Sequence, residues 1–169
     1  PVFAEVDRNS GNITVDSIEP LITKKTKAIA VVHLAGWPAN IIEISKLAKS
    51  YGIALIEDCS QAHGAGFFIN NKKLPVGQFG DISTWSFCQD KIISTGGEGG
   101  MVSTNNEEYY EKMWSLKDHG KSIQAIKNIN NGPGFKWLHE SFGSNYRLTE
   151  LQSAMGRYQL KMLPAWREI

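Results

Sequence analysis

Ala28-Ile29-Ala30-Val31-Val32-His33-Leu34 decides the reading of this chain. It is a continuous apolar run closed by a single histidine. A run of this kind, without polar alternation, is the signature of a strand buried on both faces of a parallel sheet. Beyond it, Pro38 sits where the first turn of a helix would lie, with apolar positions at Ile41, Ile44, Leu47 and Tyr51 and with Gly52 placed to end it. Ile53-Ala54-Leu55-Ile56 then reads as the next buried strand. Strand, helix and strand joined by short links predict a right-handed crossover. The expected fold class is therefore α/β, a mostly parallel sheet with flanking helices.

The rest of the chain extends this pattern. Val2-Phe3-Ala4-Glu5-Val6 reads as a short strand, and Asp16 to Lys25 has helical spacing at Ile18, Leu21 and Ile22. Phe67 to Leu74 looks like a small hairpin with Asn70-Asn71 at its tip. Ile82 to Phe87 and Met101 to Thr104 are two further strands. Thr104 with Glu107, or Asn105 with Glu108, predicts a capping box opening a helix through Leu116. His119 to Gly143 is a polar stretch rich in Asn, Gly and Lys, long enough to suggest a functional or mobile loop. Leu148, Leu151, Met155, Tyr158 and Met162 recur in threes and fours, as on an amphipathic helix that Pro164 kinks or ends.

Composition narrows the function classes. The 169 residues suffice for one domain with a sizeable core, and 41% hydrophobic with 21% charged content fits a globular protein. A net charge of +1 with interspersed signs marks neither a nucleic-acid nor a membrane surface. The densest basic cluster, Lys24-Lys25-Thr26-Lys27, reads as a solvated helix end. Two cysteines, Cys59 and Cys88, are too few for a disulfide framework, and no Cys/His spacing resembles a zinc site. A reducing cytoplasm is the expected compartment. The abrupt entry into a strand after Pro1 and the stop at Ile169 suggest a piece of a larger protein.

Two residues stand at strand ends with chemistry to offer. Asp58 ends the run Ala54-Leu55-Ile56-Glu57, and ligands of open α/β sheets bind beyond the carboxyl ends of strands. Lys91 lies in a tight loop after Ser86-Phe87-Cys88-Gln89-Asp90, ahead of the glycine cluster Gly96-Gly97-Glu98-Gly99-Gly100. A carboxylate facing a pyridinium N–H keeps that nitrogen protonated, and an amine can join to an aldehyde. Together they are the two groups that hold a pyridoxal ring. Ser86 offers a hydroxyl to a phosphate, and the glycines permit close backbone approach. Taken singly, each has a plainer reading: Asp58 as a turn acid, Lys91 as a surface lysine, the glycines as an ordinary turn. His33 reads as a satisfied core histidine, and Glu57 alternates away from Asp58 toward packing or solvent. His63 with Cys59 suggests a Cys-His nucleophile pair, but nothing in the sequence orients it.

Four ordered blocks carry a resemblance. They are Ala54 through Asp58 to Ala65, Gly80-Asp81-Ile82-Ser83-Thr84-Trp85-Ser86-Phe87 through Lys91, Glu98-Gly99-Gly100-Met101-Val102-Ser103-Thr104-Asn105, and Asn145-Tyr146-Arg147-Leu148-Thr149-Glu150-Leu151-Gln152. Together they closely resemble the DegT-type nucleotide-sugar aminotransferases, which depend on pyridoxal 5'-phosphate (PLP) and have the fold type I, aspartate aminotransferase-like architecture. Pro1-Val2-Phe3 and Val32-His33-Leu34 also fit, and the likeness is weakest from Lys121 to Phe142.

The resemblance implies that Lys91 is the Schiff-base lysine and Asp58 the partner of the pyridine nitrogen. It places Gln61 near the phenolic oxygen of the ring, Ser86 at the phosphate, and Asn145 at the phosphate site of a partner subunit. It implies transfer of an amino group from an amino acid, glutamate, to a nucleotide-linked keto-sugar. Products of that kind feed surface polysaccharides or antibiotic sugars. It further implies a cytoplasmic homodimer with shared active sites, with no nucleic-acid or membrane partner. Residues 1–169 would be part of the large PLP-binding domain, lacking the N-terminal phosphate turn with its ring-stacking aromatic and the C-terminal small domain. Such a piece is expected to bind cofactor weakly and to have little activity. A dehydratase branch carries histidine in place of the lysine, so Lys91 argues against it. A non-catalytic regulator or binding protein on the same fold is the alternative. A flavodoxin-like nucleotide module is a third reading, and it gives the lysine block no role.

Overall fold

The computed structural model describes residues 1–127 and 139–168. Its main sheet has the order β1-β2-β5-β6. Strands β1 (Ala28–Val32), β2 (Ala54–Asp58) and β5 (Ile82–Ser86) run parallel, and β6 (Gly100–Ser103) returns antiparallel to β5. The mostly parallel sheet is as expected. The chain divides into two compact units, one of residues 1–103 with 150–169 and the other of residues 104–149.

Helix α2 (Ile41–Tyr51) is the crossover between β1 and β2, and its sequence explains its bounds. Ile41, Ile44, Leu47 and Ala48 form one buried stripe, and Gly52 closes the helix at φ 63°. That left-handed conformation is cheap only for glycine. Pro38 lies ahead of the helix rather than in its first turn, because Asn40 takes the N-cap position. The stripe packs with Ile29, Val31 and Leu55 of the sheet and with Ile18 of the short helix α1 (Val15–Ile18). Each fully buried Ile or Leu contributes about 1.5–3 kcal/mol, so this layer is the main source of stability.

That core lies on one face only. Ala28, Ala30 and Val32 are exposed while Ile29 and Val31 are buried. The expectation of a strand covered on both faces is corrected here. β1 is an edge strand, and small residues, rather than polar ones, fill its open side.

Other expectations hold or shift for local reasons. β3 (Gly66–Ile69) and β4 (Lys72–Pro75) form the hairpin, and Asn70 and Asn71 turn it with φ of 48° and 60°. These are the two positive φ values of a type I′ turn, which asparagine tolerates. The Val2–Val6 strand does not form. Within Val2–Val6 only Val6 makes a bridge, to Ile13, while Val2 and Phe3 are exposed. The helix expected from Asp16 to Lys25 is cut to α1 and a single 3-10 turn at Glu19–Leu21, where Pro20 enters without an N–H to donate. α5 (Glu150–Trp166) runs through Pro164 in its last turns.

In the second unit, α3 (Glu107–Lys117) is capped by Asn106, whose side chain accepts from Tyr109 N–H at 3.0 Å. Neither capping box expected from Thr104 or Asn105 is used; Thr104 Oγ1 instead accepts from Asn106 N–H. The polar stretch from His119 contains the short helix α4 (Ile123–Lys127) and bridges from Lys121 to His139 and from Asp118 to Asn145. Its centre, 128–138, lies outside the described residues. Among the described residues no helix is long and apolar enough to cross a membrane.

Candidate active site

Strand alternation sorts the residues of β2 between two environments. Leu55 and Glu57 are buried on the core side, so Ala54, Ile56 and Asp58 point to the other face. The register pairs Asp58 with Thr84 of β5. Paired residues of neighbouring parallel strands share a face, and Ser86 lies two residues past Thr84. Asp58, Thr84 and Ser86 therefore stand together on the open face at the carboxyl ends of β2 and β5. Asp58 is partly buried, and its Oδ1 accepts from Ser60 N–H at 3.0 Å. A carboxylate has about four acceptor positions, so acceptor capacity remains on this group.

Glu57, one residue earlier, is fully buried. Its Oε1 accepts from the N–H groups of Phe79 and Gly80 at 2.7 and 2.6 Å, and its Oε2 from Gly77 N–H at 2.8 Å. His33 Nε2 lies 3.0 Å from Oε2, while His33 Nδ1 accepts from Ala39 N–H at 3.1 Å. An accepting Nδ1 leaves the ring proton on Nε2, where it is donated to Glu57. Burial works to raise the Glu57 pKa, but the four hydrogen bonds outweigh it and hold the group below the ordinary glutamate range. His33 is thus the satisfied core histidine expected. Of the two environments expected for Glu57, packing or solvent, the first holds: it is a buried carboxylate tying the Gly77–Gly80 loop to β2 and to His33 beyond β1. A clue was present in the chain: Glu57 shares its face with Leu55.

The turn after β1 frames the same end of the sheet. Ala35 adopts φ 52°, an uncommon conformation for a residue with a side chain, and its N–H donates to Gln61 Oε1 at 2.7 Å. Asn12 Oδ1 accepts from Leu34 N–H and Asn12 Nδ2 donates to Trp37 O. Gln61 is exposed, and with its oxygen engaged the amide N–H groups remain to face a ligand.

The lysine loop is closed by its own backbone. Phe87 N–H donates to Gly99 O at 2.8 Å, and Thr95 N–H donates to Phe87 O at 3.0 Å. Thr95 is buried, and its hydroxyl donates to Glu98 O at 3.0 Å. Helix α5 braces the loop from outside, with Gln159 Oε1 accepting from Ser94 N–H at 2.7 Å and Gln152 Nε2 donating to Glu98 O at 2.8 Å. Gly156 permits the approach, since a Cβ there would come within 2.8 Å of Thr95 Cγ2. Gly97 has φ 139° and open space where its Cβ would be. Ser86 Oγ lies 3.4 Å from Cys88 N–H, at the start of the loop. The Lys91 side chain is largely buried at 16% exposure, with Nζ 3.1 Å from Asp90 Oδ1.

The other candidates separate clearly. Cys59 is buried, and burial, together with Glu57 and Asp58, pushes its thiol up to about 12. His63 is buried against the rings of Trp85 and Phe87, and neither ring nitrogen has a hydrogen-bond partner. The Cys-His nucleophile pair has no basis in this geometry. Asn145 belongs to the second unit, where it is exposed and its Oδ1 accepts from Arg147 Nε at 3.1 Å.

Asp58 on the open face offers a carboxylate with spare acceptor positions for a ring N–H, Ser86 beside it a hydroxyl for phosphate, and the loop that leaves Ser86 carries the Lys91 amine. These are residue types that suit a phosphorylated pyridine aldehyde.

Comparison with known proteins agrees. The chain is 40% identical over 161 residues to GDP-perosamine synthase of Escherichia coli O157:H7, covering 95% of this chain and 40% of that protein. The aminotransferase from Psychrobacter cryohalolentis superposes with a TM-score of 0.90 at 53% identity, covering 98% of this chain and 41% of that one. NtdA of Bacillus subtilis, solved with bound cofactor PMP, superposes with a TM-score of 0.80 at 30% identity over 98% of this chain and 34% of that one. The chain thus spans about 40% of the length of the curated relatives it matches. Residues 1–168 match the DegT/DnrJ/EryC1/StrS aminotransferase family, whose members depend on pyridoxal phosphate, and the chain belongs to that family.

Proposed function

We propose that the full protein is a PLP-dependent aminotransferase that moves an amino group from an amino acid, glutamate, to a nucleotide-linked keto-sugar. The observation that carries this reading is the placement of Asp58 and Ser86 on one sheet face, with Lys91 in the loop that leaves Ser86, in a chain of this family. Its place is in making amino sugars for surface polysaccharides or antibiotics. The working unit is a cytoplasmic homodimer with shared active sites and no nucleic-acid or membrane partner. Residues 1–169 form part of the large cofactor-binding domain. An upstream phosphate turn and a small domain would belong to the rest of the full protein.

Bound PLP supplies an electron sink for a breaking C–H bond and carries the amino group between the two halves of the reaction. The protein's residues divide the remaining work. Asp58 would accept a charge-assisted hydrogen bond at the ring nitrogen and keep that nitrogen protonated. Lys91 Nζ would hold the aldehyde and, when free, would serve as the general acid and base that moves a proton. Gln61 Nε2 would donate to the phenolic oxygen, because its Oε1 is committed to Ala35. Ser86 Oγ would donate to the phosphate. Asn145 Nδ2 would serve the phosphate of the partner subunit's site, with its Oδ1 held by Arg147.

The test is borohydride trapping on the full-length protein with PLP, followed by peptide mapping. Label on the Lys91 peptide, lost in Lys91→Ala, is expected; label on another lysine overturns the assignment. Incubation with glutamate and a panel of keto-sugar nucleotides then reads amino transfer. The regulatory alternative predicts no transfer with any of them.

A further inference from the structure

Lys91 shares its loop with two other reactive groups. Its Nζ lies 3.1 Å from Asp90 Oδ1, and the same oxygen accepts from Cys88 Sγ at 2.7 Å. One carboxylate oxygen thus serves an ammonium and a thiol. The Lys91 backbone N–H donates to Cys88 O at 3.2 Å, closing a tight turn around the three residues. The two ends of the ion pair are unlike. The lysine side chain is 16% exposed and the Asp90 side chain 70%.

A lysine so paired is held back from the chemistry assigned to it. An amine attacks a carbonyl carbon only as the free base. A carboxylate in contact favours the ammonium form. The Asp90 hydrogen bond, opposed by burial and assisted by its charge and by Cys88, holds the Lys91 amine above the ordinary lysine range. The remaining titratable group acting on Nζ is His63, from the segment after β2, which repels the ammonium when itself charged. Burial, opposed by the Ser86 backbone and joined by Lys91, holds His63 below the ordinary histidine range, which weakens that repulsion.

We propose that Asp90 is a positioning residue that parks the Lys91 amine as a paired ammonium ion until a carbonyl ligand draws it away, with Cys88 fixing the carboxylate in place. The inference rests on the cofactor role of Lys91 proposed above. The physical advantage is selectivity. A pair whose carboxylate is open to solvent is weakened, so a ligand gripped elsewhere by Asp58 and Ser86 can displace it, while a stray electrophile with no other contacts meets a protonated amine.

The experiment uses the full-length protein free of cofactor and a trace dose of N-hydroxysuccinimidyl acetate, at pH values from about 6 to 10, on the acid side of the lysine range. The amine nitrogen bonds to the acyl carbon, N-hydroxysuccinimide leaves, and the amine proton passes to buffer. Acetylation of the Lys91 peptide is read by mass spectrometry. Asp90→Asn is expected to label about two- to fivefold faster across this range, its profile displaced to lower pH. Asp90→Glu keeps the wild-type profile. Wild type in high salt moves toward Asp90→Asn, because salt screens an exposed pair. Identical profiles for wild type and Asp90→Asn overturn the proposal, as does Asp90→Glu labelling as fast as Asp90→Asn. A separate arm adds PLP and follows its visible absorbance. No absorbance change in any protein, with the labelling difference intact, removes the cofactor role and leaves the pairing in place.

Discussion

Glu57 and Asp58 are neighbours in the chain with the same functional group, yet they lead opposite lives. Glu57 faces the core, where four donors surround its two oxygens and burial leaves no room for a ligand. Asp58 faces the open side of the sheet with one backbone donor and spare acceptor positions. Fully satisfied polar groups fix structure, while partly satisfied groups at strand ends are available for chemistry. The pleat of β2 assigns the two roles, because one step along a strand changes the face.

Four experiments break or sharpen that contrast. The largest effect is expected in the lysine loop: Lys91→Ala should lower amino transfer by about 10³-fold or more, with unfolding by urea unchanged. A normal rate would move the chemistry to another residue. Next, Glu57→Ala should cost about 3 kcal/mol of stability in urea unfolding, since it strands His33 and three backbone N–H groups in the core. Asp58→Ala should cost less than about 1 kcal/mol while cofactor absorbance and turnover fall. If the two alanine variants lose equal stability, the contrast fails.

The third experiment is a pH series. The folded Glu57 pKa lies below its unfolded value near 4.5, so its stabilisation is complete above that value. It is lost as pH falls through the lowered folded value. Melting temperature should therefore decline on the acid side, and the decline should be shallower in Glu57→Gln. The smallest effect belongs to Ser86→Ala, for which PLP affinity should fall about tenfold, the worth of one hydrogen bond to a charged group. Equilibrium titration by absorbance reads it.

Much of this was legible in the chain, for identifiable reasons. Ile41, Ile44 and Leu47 on one helical stripe, with Gly52 behind them, announce α2 because helix period and glycine conformation are local properties. The two asparagines of the hairpin are legible for the same reason. The position of Asp58 at a strand end follows from the apolar run before it. Features set by distant partners were not readable. Whether Val2–Val6 pairs depends on a neighbouring strand, and the exposure of Ala28, Ala30 and Val32 depends on what covers that face. The donors to Glu57 come from twenty or more residues away. The capping choice at Asn106 rather than Thr104 or Asn105 turned on where the helix began, which propensity leaves open by a residue or two.

The contact between Gln159 and Ser94 spans 65 positions of the chain. It gives the protein a built-in order of events during synthesis. Lys91 leaves the ribosome well before the helix that steadies its loop. The nascent polypeptide therefore carries that loop unbraced until the stretch from Gln152 to Gln159 emerges and folds back. The final shape of the loop is thereby deferred until helix α5 has been made.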